Sequence, residues 1–125
     1  MKNIASKNAP SAIGPYSPGI FHNGMLFLSG QLGIDPQRGV LVSDDTALQT
    51  EQAMKNMKTL LNEAGFNFNN VVKTTIFLQS MDDFKIVNEI YARYFGDHKP
   101  ARSTVQVARL PLGAKVEIES ISMVQ

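Results

Sequence analysis

Arg102 and Glu117 are the residues of this chain whose types and placement point to chemistry. Arg102 follows Lys99-Pro100-Ala101 at the start of a strand, and the proline stiffens that approach. A guanidinium projecting from a strand end presents a planar fork of donors that matches a carboxylate bidentately, which suits recognition of a small organic acid. Glu117 lies on the following strand and shares its side with Glu119, Ile121 and Met123. A carboxylate among apolar neighbours on a sheet face is costly unless it is paired or used. If the segment 104–108 pairs with 115–123 through the short turn at Pro111-Leu112-Gly113, Arg102 and Glu117 reach one crevice. Spacing leaves two readings open, a ligand site or a structural Arg–Glu ion pair at a subunit interface.

The other reactive side chains narrow the options. The chain has no cysteine, which excludes disulfides, thiolate nucleophiles and Cys-based metal sites. Its two histidines, His22 beside a turn and His98 in a loop, are isolated, so neither a metal site nor a Ser–His pair is expected. Gly30-Gln31-Leu32-Gly33 is too short for a dinucleotide fingerprint, and no phosphate-binding Gly-rich loop with Lys-Ser/Thr appears. Asp82-Asp83 reads as a charge pair favoured by a helix N-terminus.

The elements that must position these residues are legible in outline. Residues 9–19, with three prolines and two glycines, read as an irregular arm, and residues 24–31 as a short strand bounded by glycines. Residues 32–45 read as a loop or hairpin excursion. Ala47, Thr50, Met54, Met57, Leu61 and Ala64 recur at helical steps, so a helix is predicted over 46–64, with Asp44 or Asp45 as cap and Gly65 as its left-handed stop. A strand over 71–78 follows, then a helix over 80–95 buried through Phe84, Val87, Tyr91 and Tyr94. Ser80 and Asp83 have the spacing of a capping box there, and Gly96 supplies the stop. Strands over 104–108 and 115–123 complete the order.

This order predicts an α+β fold: a two-layer α/β sandwich with two βαβ-like crossovers and both helices on one face of the sheet. The strands are apolar on both sides. Met25 and Phe27 oppose Leu26 and Leu28, Val71 and Phe77 oppose Val72, Ile76 and Leu78, and Val116 and Ile118 oppose Ile121 and Met123. A face without helices should be polar in a monomer, so the second face is expected to meet another subunit.

The 125 residues fit one domain, 1–125, with no linker or repeat, and 43% hydrophobic against 18% charged residues supports a core. A net charge of +1 with scattered basic residues leaves no footprint for nucleic acid. No apolar run approaches the roughly 20 residues needed to span a bilayer, and no apolar block follows the N-terminal Met1-Lys2-Asn3, so neither membrane nor signal peptide is expected. The missing cysteines are compatible with the cytoplasm.

One stretch resembles a known family. Pro100-Ala101-Arg102-Ser103-Thr104-Val105-Gln106-Val107-Ala108-Arg109-Leu110-Pro111, followed by Val116-Glu117-Ile118, is similar to the signature of the RidA (YjgF) family. The resemblance runs through Asn8-Ala9-Pro10, Ile13-Gly14-Pro15-Tyr16-Ser17, Ser29-Gly30-Gln31, Asn56 to Gly65, Val72-Lys73-Thr74-Thr75, Met81-Asp82-Asp83-Phe84 and Val87-Asn88. It implies a chorismate-mutase-like fold and a homotrimer with active sites between subunits. It also implies hydrolysis of 2-iminobutanoate and 2-iminopropanoate to 2-oxo acids and ammonia, without cofactor or metal. By resemblance Arg102 binds the substrate carboxylate and Glu117 holds the attacking water, while Tyr16, Ser29, Gly30, Asn88 and Thr104 line the cleft. Many relatives carry cysteine where this chain has Thr104, so no thiol chemistry is available at that position.

The chemistry asks little of the protein, because imines hydrolyse readily; positioning and acid–base assistance suffice. Two readings compete. A non-catalytic metabolite-binding or chaperone-like trimer would use the same arginine pocket. A ribonuclease or translation inhibitor, described for some relatives, is opposed by the near-neutral charge and the lack of a histidine pair.

Overall fold

The computed structural model describes all 125 residues. Six strands and two helices form two layers: β1 (Lys2–Ile4), β2 (Gly19–His22), β3 (Met25–Gln31), α1 (Thr46–Glu63), β4 (Val71–Leu78), α2 (Phe84–Phe95), β5 (Ala101–Gln106) and β6 (Val116–Met123). They make one mixed sheet in the order β1-β2-β3-β6-β4-β5, in which β4 and β5 are the only neighbours paired parallel. Both crossovers are present: α2 joins the neighbouring β4 and β5, and α1 joins β3 to β4 across the strand that later fills the gap, β6.

Each helix is set by its own ends and stripe. The Asp45 carboxylate accepts from the Leu48 amide at 2.9 Å and caps α1. At the other end Gly65 takes φ 79°, and the amides of Gly65 and Phe66 return to the carbonyls of Asn62 and Leu61, a Schellman stop that turns Phe66 into the core. The buried stripe of α1 is broader than the predicted one, taking in Ala53 and Leu60 and also Gln49 and Asn56. In α2 the buried set is Val87, Ile90, Tyr91 and Phe95, while Tyr94 is half-buried against Phe68. The expected capping box is not formed. Met81–Asp83 make a separate 3-10 turn, Ser80 accepts from the Asp82 amide, and the Asp83 carboxylate accepts from the Thr46 hydroxyl at 2.9 Å, tying the starts of the two helices together.

The core lies between the helices and one face of the sheet, where Leu26, Leu28, Ile76, Leu78, Val116 and Ile118 meet Met54, Met57, Leu60, Leu61 and Val87. Val71 joins this face, not the open one as strict alternation requires, because the register against β6 shifts between Val71 and Lys73. On the open face Phe27, Val72, Val105 and Met123 are each 40–43% exposed. This is the apolar second face that the strand pattern predicts.

The structure adds two strands and corrects two expectations. Lys2–Ile4 and Gly19–His22 form an antiparallel ribbon along β3 that the pattern did not reveal, for these strands are too short for periodicity. The strand carrying Arg102 begins at Ala101 and ends at Gln106, so Arg102 lies within it, in register with Thr74. The pairing of residues 104–108 with 115–123 does not occur, because β4 separates β5 from β6.

Candidate functional site

The side chains singled out by the sequence fall into two groups on opposite faces of the sheet. The first surrounds Arg102. Its strand pairs with β4, and Thr74, opposite Arg102, is buried on the helix side, so Arg102 turns toward α2. One guanidinium nitrogen donates to Asn88 Oδ1 at 2.6 Å. The guanidinium carbon stands 5.1 Å from the ring centre of Tyr91 and 5.6 Å from that of Phe84, a cation–π seat on two aromatics. The Tyr91 hydroxyl is in turn bonded to Thr74 Oγ1 at 2.7 Å. Burial raises the Tyr91 pKa, a shift that its bond to Thr74 and the charge of Arg102 oppose, so the phenol stays neutral. The arginine is thus pre-oriented while most of its five donors remain free for an oxyanion. A recess of about 420 Å³ opens beside it, bounded by Asn88, Tyr91, Phe95, His98 and Lys99.

Phe84, Asn88 and Tyr91 stand at four- and three-residue steps along α2, and sequence reasoning assigned both aromatics to the core alone. The polar Asn88 within that stripe is the signal in the sequence that this face is not core alone. His98, read as a loop residue, is half-buried and its Nε2 lies 2.6 Å from the Val71 carbonyl.

The second group surrounds Glu117 on the open face. The carboxylate is half-buried, and its pKa is raised first by burial and then by the like charge of Glu119 two residues along the strand. The carboxylate forms no ion pair within the chain, in which the only one joins Arg93 to Glu51 at 3.9 Å. Glu117 borders a recess of about 320 Å³ walled by the proline-rich arm, including Pro10, Ile13 and Tyr16, and by Ser29, Gly30 and Leu32. Tyr16 Oη accepts from the Ile13 amide at 3.4 Å, and the Ser29 hydroxyl is used within the fold, donating to the Ser17 carbonyl at 2.7 Å.

The predicted residues therefore divide. Tyr16, Ser29, Gly30 and Glu117 are together, and Asn88 and Arg102 are together, but the two sets do not share a cavity within one chain. Thr104 lies on the Arg102 side of β5, in register with Ile76, and its hydroxyl is buried without a partner. No group of three or more His, Cys, Asp or Glu side chains has the arrangement of a metal site.

The family model described as endoribonuclease L-PSP matches residues 6–124. The chain is 53% identical over 119 residues to the chloroplastic Reactive Intermediate Deaminase A of Arabidopsis thaliana, covering 95% of this chain and 64% of that protein's length. It is 48% identical over 120 residues to the human 2-iminobutanoate/2-iminopropanoate deaminase, covering 96% of this chain and 88% of the human one. Among solved structures, a protein from Thermotoga maritima described as a putative endoribonuclease superposes with a TM-score of 0.97 at 46% identity, covering 100% of this chain and 98% of the other. TdcF of E. coli, solved with bound serine, superposes at 0.95 with 38% identity over the whole of both chains. With a family model spanning nearly the whole sequence and these relatives at both levels, the chain belongs to the endoribonuclease L-PSP family, the family of the RidA and YjgF proteins.

Proposed function

We propose that this protein is an imine deaminase that hydrolyses 2-iminobutanoate, 2-iminopropanoate and related 2-imino acids to 2-oxo acids and ammonia. The observation that carries the reading is the pair of half-sites: a seated guanidinium with free donors, and a desolvated, unpaired carboxylate beside a recess. One is made to hold an organic anion and the other to handle a proton. They lie on opposite faces of the sheet, so a complete site takes Arg102 from one copy and Glu117 from another. The exposed apolar face supports the same conclusion; in this reading the assembly is a homotrimer, in line with the family resemblance, and it works in the cytoplasm, with which the lack of cysteine is compatible.

In this reading Arg102 binds the substrate carboxylate, with Asn88 and Tyr91 fixing the guanidinium plane. Tyr16, Ser29, Gly30 and Thr104 line the cleft. Ionised Glu117 takes a proton from water as its oxygen bonds to the iminium carbon. It then returns that proton to the nitrogen and takes up the hydroxyl proton as the C–N bond breaks; ammonia accepts this last proton and leaves as ammonium, with the 2-oxo acid behind and Glu117 ionised again. A carboxyl with a raised pKa is the better proton acceptor, provided that it is still ionised at the working pH. No cofactor enters the scheme.

The test couples a threonine dehydratase to the purified protein and follows loss of 2-iminobutanoate, with semicarbazide trapping what remains. The protein should accelerate the loss. Arg102→Ala should cut kcat/KM by about a hundredfold or more, the usual consequence of removing one partner of a desolvated charge pair. Glu117→Gln should bind 2-oxobutanoate normally and fail to turn over. A second reading, a metabolite sensor, draws on the serine-bound structure of TdcF; tight binding of 2-oxobutanoate without imine loss would select it.

A further inference from the structure

Gly30 is glycine for a reason other than backbone freedom. Its φ lies outside the left-handed region occupied by Gly24, Gly39, Gly65, Gly96 and Gly113. What excludes a side chain there is Glu117. A Cβ at position 30 would stand 2.6 Å from Glu117 Cδ, 2.7 Å from Oε2 and 2.8 Å from Cγ. The Glu117 side chain thus lies directly on the space that the missing Cβ leaves open. With neither an ion pair nor a hydrogen bond to hold it, this steric seat is the restraint on its carboxylate.

The seat exists because β3 carries one residue more than its partner. Leu28 pairs with Ser120 and Gln31 with Ile118, so Ser29 and Gly30 together oppose Glu119 alone. Ser29 turns its backbone groups toward β2, in the register that pairs Gly19 with Leu28, and both are answered although Pro18 opposite has no N–H to give. The Ser29 amide donates to the Pro18 carbonyl at 2.9 Å. Its carbonyl accepts from Nε2 of Gln31 at 3.0 Å. Gln31 is only 6% exposed, and an apolar side chain in its place would leave that carbonyl without this partner.

Building on the reading of Glu117 as the residue that holds the attacking water, we propose that Gln31 is a positioning residue for the reaction: its amide fixes the Ser29–Gly30 bulge, and the bulge fixes the Glu117 carboxylate. Misplacing a reacting group by about 1 Å costs on the order of a hundredfold in rate. The carboxylate-binding half, on the other face, does not depend on the bulge.

The experiment measures kcat, KM and the Kd for 2-oxobutanoate on the assembled Gln31→Met protein, which keeps the length and apolar stem of the side chain and deletes the donor. Its kcat should fall about tenfold to a hundredfold, while KM and Kd stay within about twofold because Arg102 is untouched. Gly30→Ala, which leaves Gln31 in place and fills the seat, should also lower kcat, with KM free to change because Gly30 itself lines the cleft. If Gln31→Met does not fold, Gln31→Asn, whose amide falls one methylene short, carries the test. Wild-type kcat in the folded Gln31 variants would overturn the proposal, as would a fall in kcat matched by an equal loss of 2-oxobutanoate binding. Wild-type turnover by Glu117→Gln would instead remove the functional reading itself, so the two failures are distinguishable.

Discussion

At the scale of the residue, the role proposed for Glu117 sets function against stability. Burial, reinforced by Glu119, holds its carboxyl above the ordinary 4.5, so the folded chain binds this proton more tightly than the unfolded one. The stability this gives is full below the ordinary value and is lost as pH rises through the raised one. Glu117→Gln should therefore unfold at higher urea than the parent at about pH 7, and the gap should close toward about pH 4. Activity runs the other way: the acidic limb of kcat/KM should lie above the ordinary carboxylate range, and Glu119→Gln should move it to lower pH. Thr104 offers a second test. Its hydroxyl is buried without a partner, a state that costs about 1–3 kcal/mol, so Thr104→Val should gain about 1 kcal/mol in urea unfolding.

At the scale of the element, the loop after β3 depends on amides from α1. Asn56 Nδ2 donates to the carbonyls of Leu32 and Ile34 at 3.2 and 2.9 Å. Gln49 donates to the Ser43 carbonyl and accepts from the Lys115 amide. Gly33 lies so close to α1 that a Cβ would meet the Gln49 backbone at 2.5 Å. Asn56→Leu would leave two carbonyls unpaired and should cost about 2 kcal/mol or more in chemical denaturation. Helix periods and stops were legible here because each is local: Asp45, Gly65 and Gly96 act on residues within a turn of themselves. The loop clamp was not. Gln49 and Asn56 look like solvent-facing polar positions until their partners, more than twenty positions away for Asn56, are known.

At the scale of the whole molecule, the open face and the divided site make one prediction. Phe27→Glu or Val105→Glu places a charge on an exposed apolar surface. Sedimentation should find monomers with native helix content, and on the proposed reading of a site shared between copies these should be inactive. Complementation tests the same geometry more sharply. Arg102→Ala and Glu117→Gln proteins, each inactive, should regain about a quarter of full activity when unfolded and refolded together in equal amounts, since a quarter of random interfaces join an intact arginine to an intact glutamate. No recovery would mean that both residues act from one chain.

The sequence by itself determined the α+β class, both helices, four of the six strands, the two-faced character of the sheet and, through the family resemblance, which residues to watch. These follow from period, capping and motif, which are written in neighbouring residues. Only the tertiary structure decided where the last strand goes. Inserting β6 between β3 and β4 cancels the expected pairing of β5 with β6 and leaves Arg102 and Glu117 on opposite faces. The bulge that seats Glu117 on Gly30 came from the same source, because register depends on how two distant strands meet, and no local pattern encodes that meeting.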